Sequence, residues 1–261
     1  MESVIRSRWQ AAILDTLRRE KRARIVRLAE RLGVSDETVR RHLRDLVAQG
    51  LVRREHGFAV WTGPSEEPPF DQRMRIHAEA KRAIARLARE LVGDGQTVMI
   101  DTGSTTAYVA EALAARRELT VITNGIEIAR SLVGRNGHRV YLAGGELKAE
   151  LGAAVGLEAL SFIGQFRADV AILSIGAVDI EHGLMNFALD EARIARAMME
   201  RAARTVLAAD RSKFGRRAVV RVDGLEAVDI VLTDRPPPGP FARALANAGV
   251  EVRTADAPAS G

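Results

Sequence analysis

The chain has 261 residues, 47% of them apolar, with 39 Lys and Arg against 34 Asp and Glu and no cysteine. That length suits two domains with real cores, and the missing cysteine excludes disulfides, thiolate metal sites and cysteine nucleophiles. No stretch approaches the ~18 apolar residues of a membrane span, and Met1 to Gln10 lacks the apolar centre of a signal peptide, so a cytoplasmic protein without a membrane partner is expected.

The first predicted element is a helix from about Arg8 to Arg19, with Ile13, Leu14 and Leu17 on its apolar face. A shorter helix carries Ile25, Val26, Leu28, Ala29 and Leu32. Gly33-Val34-Ser35 then makes a turn in which Gly33 permits a left-handed backbone and Ser35 caps the next helix. That third helix, Asp36 to Gln49, buries Val39, Leu43, Leu46 and Val47 and is closed by Gly50. Two helices about a tight turn, the second with a basic outer face, form a helix-turn-helix whose second helix reads the major groove. Ser35, Glu37, Thr38, Arg40, Arg41 and Arg44 are its candidate DNA contacts. Leu51 to Trp61 reads as a hairpin wing that brings Arg53, Arg54 and His56 to the phosphates. Residues 1–62 hold 14 Lys and Arg against 8 Asp and Glu, an excess greater than the net +5 of the whole chain. A solvated basic helical hairpin is the bland alternative; the turn, cap, wing and charge asymmetry together favour a winged helix-turn-helix that binds double-stranded DNA.

Gly63-Pro64-Ser65-Glu66-Glu67-Pro68-Pro69 is a polar, Pro-rich break, which sets the expected organisation as residues 1–62, a linker at 63–72 and a second domain at 73–256. A helical pattern runs from Phe70 to Leu91. Beyond it, apolar runs of strand length alternate with helical segments, the βαβ pattern of an open, mostly parallel α/β sheet. The strands end in Asp101-Thr102-Gly103-Ser104-Thr105-Thr106, Thr123-Asn124-Gly125, Gly144-Gly145, Ser174-Ile175-Gly176, Asp210 and Thr233-Asp234. Ligands of open parallel sheets bind outside those carboxyl ends, and such residues suit a small polyhydroxylated molecule. Gly103-Ser104-Thr105-Thr106 opens a helix and forms a phosphate cradle, with Lys213 as a second phosphate contact. The candidate effector residues are Asp101, Gly103, Ser104, Thr105, Thr106, Thr123, Asn124, Gly144, Gly145, Gly176, Glu191, Asp210 and Lys213. His77, His138 and His182 lack metal-ligand spacing, and no metal or cofactor is expected.

Leu32-Gly33-Val34-Ser35, Thr38-Val39-Arg40-Arg41-His42-Leu43, Gly50-Leu51-Val52 and Arg54-Glu55-His56-Gly57 resemble the DNA-binding signature of the DeoR family of bacterial regulators. The sequence departs from that signature at His42, where the family usually has Asp, and at Phe58, where it usually has a second Gly. Lys81 to Ala85, Ile100 to Thr106, Val121 to Asn124, Leu142 to Leu147 and Asp210 to Arg216 resemble the family's sensor domain. This resemblance implies a fold similar to ribose-5-phosphate isomerase, a phosphorylated sugar or polyol effector, operator DNA as partner, and a homo-oligomer, dimer or tetramer. It further implies a repressor of a carbohydrate or polyol catabolic operon. Leu160 to Asp169 and Val231 to Pro238 are similar to the branch of the family that answers to glycerol-3-phosphate, the favoured effector. The alternative is a sugar-phosphate isomerase or deaminase carrying a DNA-binding module, with Asp101, Glu191 or Asp210 as general base. Against catalysis stand a module that no small-molecule isomerase needs and the lack of any nucleotide loop or nucleophile elbow.

Overall fold

The computed structural model describes residues 9–10, 12–17, 20–48, 51–61 and 67–255. The chain divides into two compact units, Met1–Pro68 and Pro69–Gly261.

In the first unit, helix α1 (residues 9–10 and 12–17) buries Ile13 and Leu17 completely, as the periodicity predicts. Its expected ends at Arg8 and Arg19 lie outside the described residues. Strand β1 (Arg22–Arg24) follows, then α2 (Ile25–Leu32) and α3 (Asp36–Ala48). Gly33 sits at φ 63° and closes α2 in the left-handed conformation. The Ser35 hydroxyl accepts the Thr38 N–H at 3.2 Å, the expected N-cap of α3. Gln49 and Gly50, where that helix was expected to end, lie outside the described residues. The wing is a hairpin of β2 (Val52–Glu55) and β3 (Phe58–Trp61). Its two turn residues, His56 and Gly57, both have positive φ, the twist that a tight hairpin demands. β1 adds to β3, giving the order β1-β3-β2. The core gathers Ile13, Leu17, Ile25, Leu28, Val39, Leu43 and Leu46, each worth ~1.5–3 kcal/mol when fully buried.

The second unit opens inside the segment expected as a linker. Residues 63–66 lie outside the described residues, and Phe70 already begins a helix, α4 (Phe70–Arg75). The single helix expected from Phe70 to Leu91 is two, because the chain breaks at His77 (φ 53°) before α5 (Ala78–Leu91). The buried Lys81 ammonium stabilises the break by donating to the Arg73 and Ile76 carbonyls, the latter at 2.8 Å. The Arg73 carbonyl also accepts the Ile76 N–H at 3.2 Å, so the ammonium reinforces the closing turn of α4. Then come β4 (Thr97–Ile100), α6 (Ser104–Leu113), β5 (Thr120–Thr123), α7 (Ile126–Leu132) and β6 (Arg139–Leu142). A hairpin of β7 (Glu146–Lys148) and β8 (Ala153–Val155) precedes α8 (Leu157–Ile163) and β9 (Val170–Leu173). β10 (Ala177–Asp179), β11 (Gly183–Asn186), α9 (Leu189–Arg201), β12 (Thr205–Ala208) and β13 (Val220–Asp223) follow. β14 (Ile230–Thr233), α10 (Gly239–Asn247) and β15 (Glu251–Thr254) complete the unit.

The main sheet has the order β15-β14-β12-β9-β4-β5-β6, and every pairing in it is parallel. Successive strand residues feed opposite faces. Val98, Ile100, Ile172, Val206 and Ile230 pack with Ile84, Val109, Leu113 and Leu132 of α5, α6 and α7. Met99, Leu173, Leu207 and Val231 pack with Ile163, Ile194, Met198 and Leu245 of α8, α9 and α10. The result is a three-layer α/β unit whose strand ends share one rim. Among the described residues, no helix is long and apolar enough to cross a membrane.

Candidate functional site

On the first unit, Glu37, Arg41 and Arg44 are exposed on α3, while Thr38 and Arg40 are half-buried. Arg44 and Glu37 form an exposed pair at 3.7 Å. Arg54 and His56 are exposed at the wing. Arg53 is half-buried and bound to Glu55 at 2.7 Å, so part of its charge is spent inside the wing. His42 on α3 is buried at 3% exposure. Sequence periodicity missed β1 entirely, and with it the exposed Arg22 and Arg24.

On the second unit, the Asp101–Thr106 turn joins the end of β4 to α6. Gly103 is the N-cap of α6, and no side chain caps that helix. Ser104, Thr105 and Thr106 lie buried around its uncapped N–H groups, where the helix dipole favours an anion. Gly103 is required here: a Cβ would run into the Ser174 hydroxyl and stand 2.6 Å from the Ser174 Cβ. The Thr106 hydroxyl turns inward to the Asp101 carbonyl at 2.8 Å, which locks the loop.

Several of the expected effector residues make hydrogen bonds that hold the rim together. Asn124 accepts the Thr102 N–H at 3.1 Å and donates to the Ala154 carbonyl at 3.0 Å, so its amide ties the loop after β5 to the loop after β4 and to β8. The fully buried Thr123 hydroxyl accepts the Gly125 N–H at 3.0 Å. Gly176 donates its N–H to Asn186 at 2.8 Å, and a Cβ there would stand 2.8 Å from the Phe187 ring. Gly145 (φ 135°) approaches the Val155 carbonyl so closely that a Cβ would lie 2.5 Å from it. Gly144 is exposed at the end of β6.

Two buried carboxylates differ in electrostatic state. Burial, reinforced by the charge of Glu191, pushes Asp101 well above the usual carboxylate range. Its hydrogen bonds from the Ser174 N–H (2.8 Å) and hydroxyl (3.4 Å) only partly offset this. Burial alone would also raise Asp210, but Lys213, Ser212 and His77 hold it below the usual value. Asp210 accepts the Ser212 N–H at 2.9 Å and so caps the short turn Arg211–Lys213. A cavity of about 650 Å³ opens beside it, lined by His77, Asp210, Arg211, Ser212, Asp234 and Arg235 among others. Of the expected effector residues only Asp210 lines it. His77, Arg211 and Arg235 are not among the expected effector residues; they lie just before a helix or past a strand end, where no periodicity marks them.

Elsewhere, Asp179, Glu181 and His182 place their ligand atoms within 4.8 Å of one another. Asp179 is already saturated: one oxygen accepts the Glu181 and His182 N–H groups and meets the His182 ring, and the other meets Arg217 at 3.2 Å. Burial would raise its carboxyl, but these partners bring it down to about 2.

Comparison with known proteins covers both units. Residues 9–63 match the DeoR-like helix-turn-helix domain and residues 76–235 the DeoR C terminal sensor domain. The glycerol-3-phosphate regulon repressor of Escherichia coli (strain K12) is 37% identical over 226 residues, 87% of this chain and 90% of that protein. The HTH-type transcriptional regulator GlpR of Haloferax volcanii is 39% identical over 208 residues, 79% of this chain and 81% of its own length. A solved ribose 5-phosphate isomerase from Methanocaldococcus jannaschii is 18% identical, covers 53% of this chain and 55% of its own, and gives a TM-score of 0.39.

Proposed function

The chain belongs to the DeoR family of transcriptional regulators, and on that premise we propose that it is a repressor whose operator is released by glycerol-3-phosphate bound at the sheet's carboxyl rim. As a member of a family of DNA-binding repressors it is a regulator and not an enzyme. The observation that carries the effector reading is the uncapped N-terminus of α6, buried behind Gly103 with the Ser104 and Thr105 hydroxyls around it. Free N–H groups, a favourable dipole and small hydroxyl side chains bind phosphate without a dedicated cation. Asp210 and Lys213 stand further along the same rim, where a polyol's hydroxyls find both an acceptor and a donor.

Operator binding falls to α3 and the wing. Arg40, Arg41 and Arg44 supply base or phosphate contacts, and Arg54 and His56 grip the backbone. Paired half-sites need paired recognition helices, so the acting form is a homo-oligomer, dimer or tetramer. The effector shifts the equilibrium only by as much as it prefers the released conformation over the bound one.

The test is a melting-temperature screen of the full chain against phosphorylated sugars and polyols, followed by operator binding with and without each hit. Glycerol-3-phosphate is expected to raise the melting temperature and weaken operator binding. A stabilising phosphorylated sugar that leaves operator affinity unchanged would sink the switch, and stabilisation by a different phosphorylated compound alone would replace the ligand.

A further inference from the structure

We infer that Phe58 and the two arginines of β1 form a second phosphate-gripping surface beside the wing, one that the recognition-helix pattern does not reveal. The inference rests on the DNA-binding reading above and extends it to a face outside α3. β1 alternates exposed Arg22, buried Ala23 and exposed Arg24, so both guanidinium groups stand on the outer face of the three-stranded sheet. Pairing sets Arg24 opposite Phe58 and Arg22 opposite Val60. Across-strand partners share a face, so the Phe58 ring lies between the two cations. The Arg22 guanidinium sits 3.8 Å above the ring centre and that of Arg24 5.3 Å from it.

Two like charges crowded together are unfavourable unless something holds them. Here the ring face attracts both, and stacking leaves the in-plane N–H donors of each guanidinium free to fork onto an oxyanion. Neighbouring arginines are already committed: Arg31 to Glu20 at 2.5 Å, Arg53 to Glu55 at 2.7 Å and Arg44 to Glu37 at 3.7 Å. Arg22 and Arg24 form no ion pair among the described residues, so their charge is oriented but unneutralised.

Location decides the partner. The Ile25 N–H donates to the Gly57 carbonyl at 3.0 Å, which fastens the end of β1 to the wing turn. Arg54, opposite Ala59, stands on the other face of the sheet, and the β2 residues on the Phe58 face are Arg53 and Glu55, which pair with each other. A DNA backbone meeting His56 at the turn passes Arg24 next and Arg22 after it. The same arginines, with Arg27 and Arg31, border a groove of about 960 Å³ that Thr16, Glu20 and Glu30 also line, Glu20 being paired with Arg31.

The experiment measures full-chain affinity for a duplex selected for tight binding from a random-sequence library, and for a scrambled duplex, across a salt series. The Arg22→Ala/Arg24→Ala pair is expected to lower the log–log salt slope by about 0.9 per lost phosphate contact, close to two in total. Affinity for both duplexes should fall by a similar factor, since phosphate contacts carry no sequence information. Phe58→Leu keeps an apolar side chain but removes the ring, and should weaken both duplexes about 2- to 5-fold. If the alanine pair melts early, Arg22→Gln/Arg24→Gln carries the test with chain length retained. An unchanged salt slope in a normally melting double variant overturns the inference. Arg41→Ala is the reference: if it too leaves binding intact, the DNA-interface reading fails, whereas if it alone weakens binding, only the second surface does.

Discussion

Gly103→Ala should separate effector response from DNA binding. The new Cβ would stand 2.6 Å from the Ser174 Cβ and meet the Ser174 hydroxyl as well. Rotating the hydroxyl away does not help, because the Ser174 Cβ is fixed to the end of β9. Ordinary contact begins near 3.4 Å, so the Asp101–Thr106 loop and β9 must part by about 0.8 Å. Overpacking of this kind costs ~1–3 kcal/mol, a fall in the second unit's melting temperature of about 2–12 °C at ~2–4 °C per kcal/mol. The same shift misaims the N–H groups of Ser104 and Thr105. Losing one charge-assisted hydrogen bond of ~1.5–3 kcal/mol weakens glycerol-3-phosphate binding roughly 10- to 100-fold. Calorimetric titration and operator binding read the two effects apart: the variant should hold its operator at effector concentrations that release the wild type. Ser174→Gly in the same chain removes the clashing Cβ and should restore effector binding in part. Wild-type effector affinity and melting temperature in Gly103→Ala would refute the reasoning, and so would a double variant no better than the single one.

Three further outcomes follow from the geometry. Lys81→Met keeps the buried stem but leaves the Arg73 and Ile76 carbonyls without their ammonium donor; a loss of ~2–3 kcal/mol is expected in denaturant unfolding of the second unit. Asp179, with its carboxyl held down to about 2 against ~3.9 when unfolded, contributes stability that is complete above pH 4 and lost as pH falls from about 4 to 2. Asp179→Asn should therefore flatten the acid limb of a stability–pH curve over that window. Lys213→Ala should leave operator affinity unchanged while making release require more glycerol-3-phosphate, as read in a titration of the preformed DNA complex.

The elements that announced themselves in the sequence are those with several apolar residues in one period. Val98-Met99-Ile100 and Val170-Ala171-Ile172-Leu173 bury both faces and read as continuous apolar runs, so the parallel sheet was legible. β1 was not, because Arg-Ala-Arg buries a single small residue and gets its stability from pairing with β3. The break between α4 and α5 carries no Gly or Pro; it depends on Lys81 reaching back five and eight residues, a contact that no local pattern encodes. The small polar residues at the strand ends were legible in the sequence, but the internal hydrogen bonds that several of them make were not. Asn124 and Gly176 share the composition of ligand contacts, yet the fold uses one as a bridge between loops and the other to admit the Phe187 ring.

The strand order of the main sheet also bears on how the chain acquires its shape. Its centre pairs Val98 with Val170 and Val206 with Ile172 and Ile230, so partners are separated by long stretches of chain. No hairpin can nucleate such a sheet, and its ordering must wait for the entropy of closing large loops to be overcome. The first unit contrasts with it: the β2–β3 hairpin closes over two residues, and α2 and α3 are joined by three. During synthesis the operator-reading unit emerges first and matures quickly, while the effector-reading unit completes its central strands only after β14 has appeared. For an interval set by chain topology, the nascent regulator is able to form its DNA-binding unit before it can form a complete effector site.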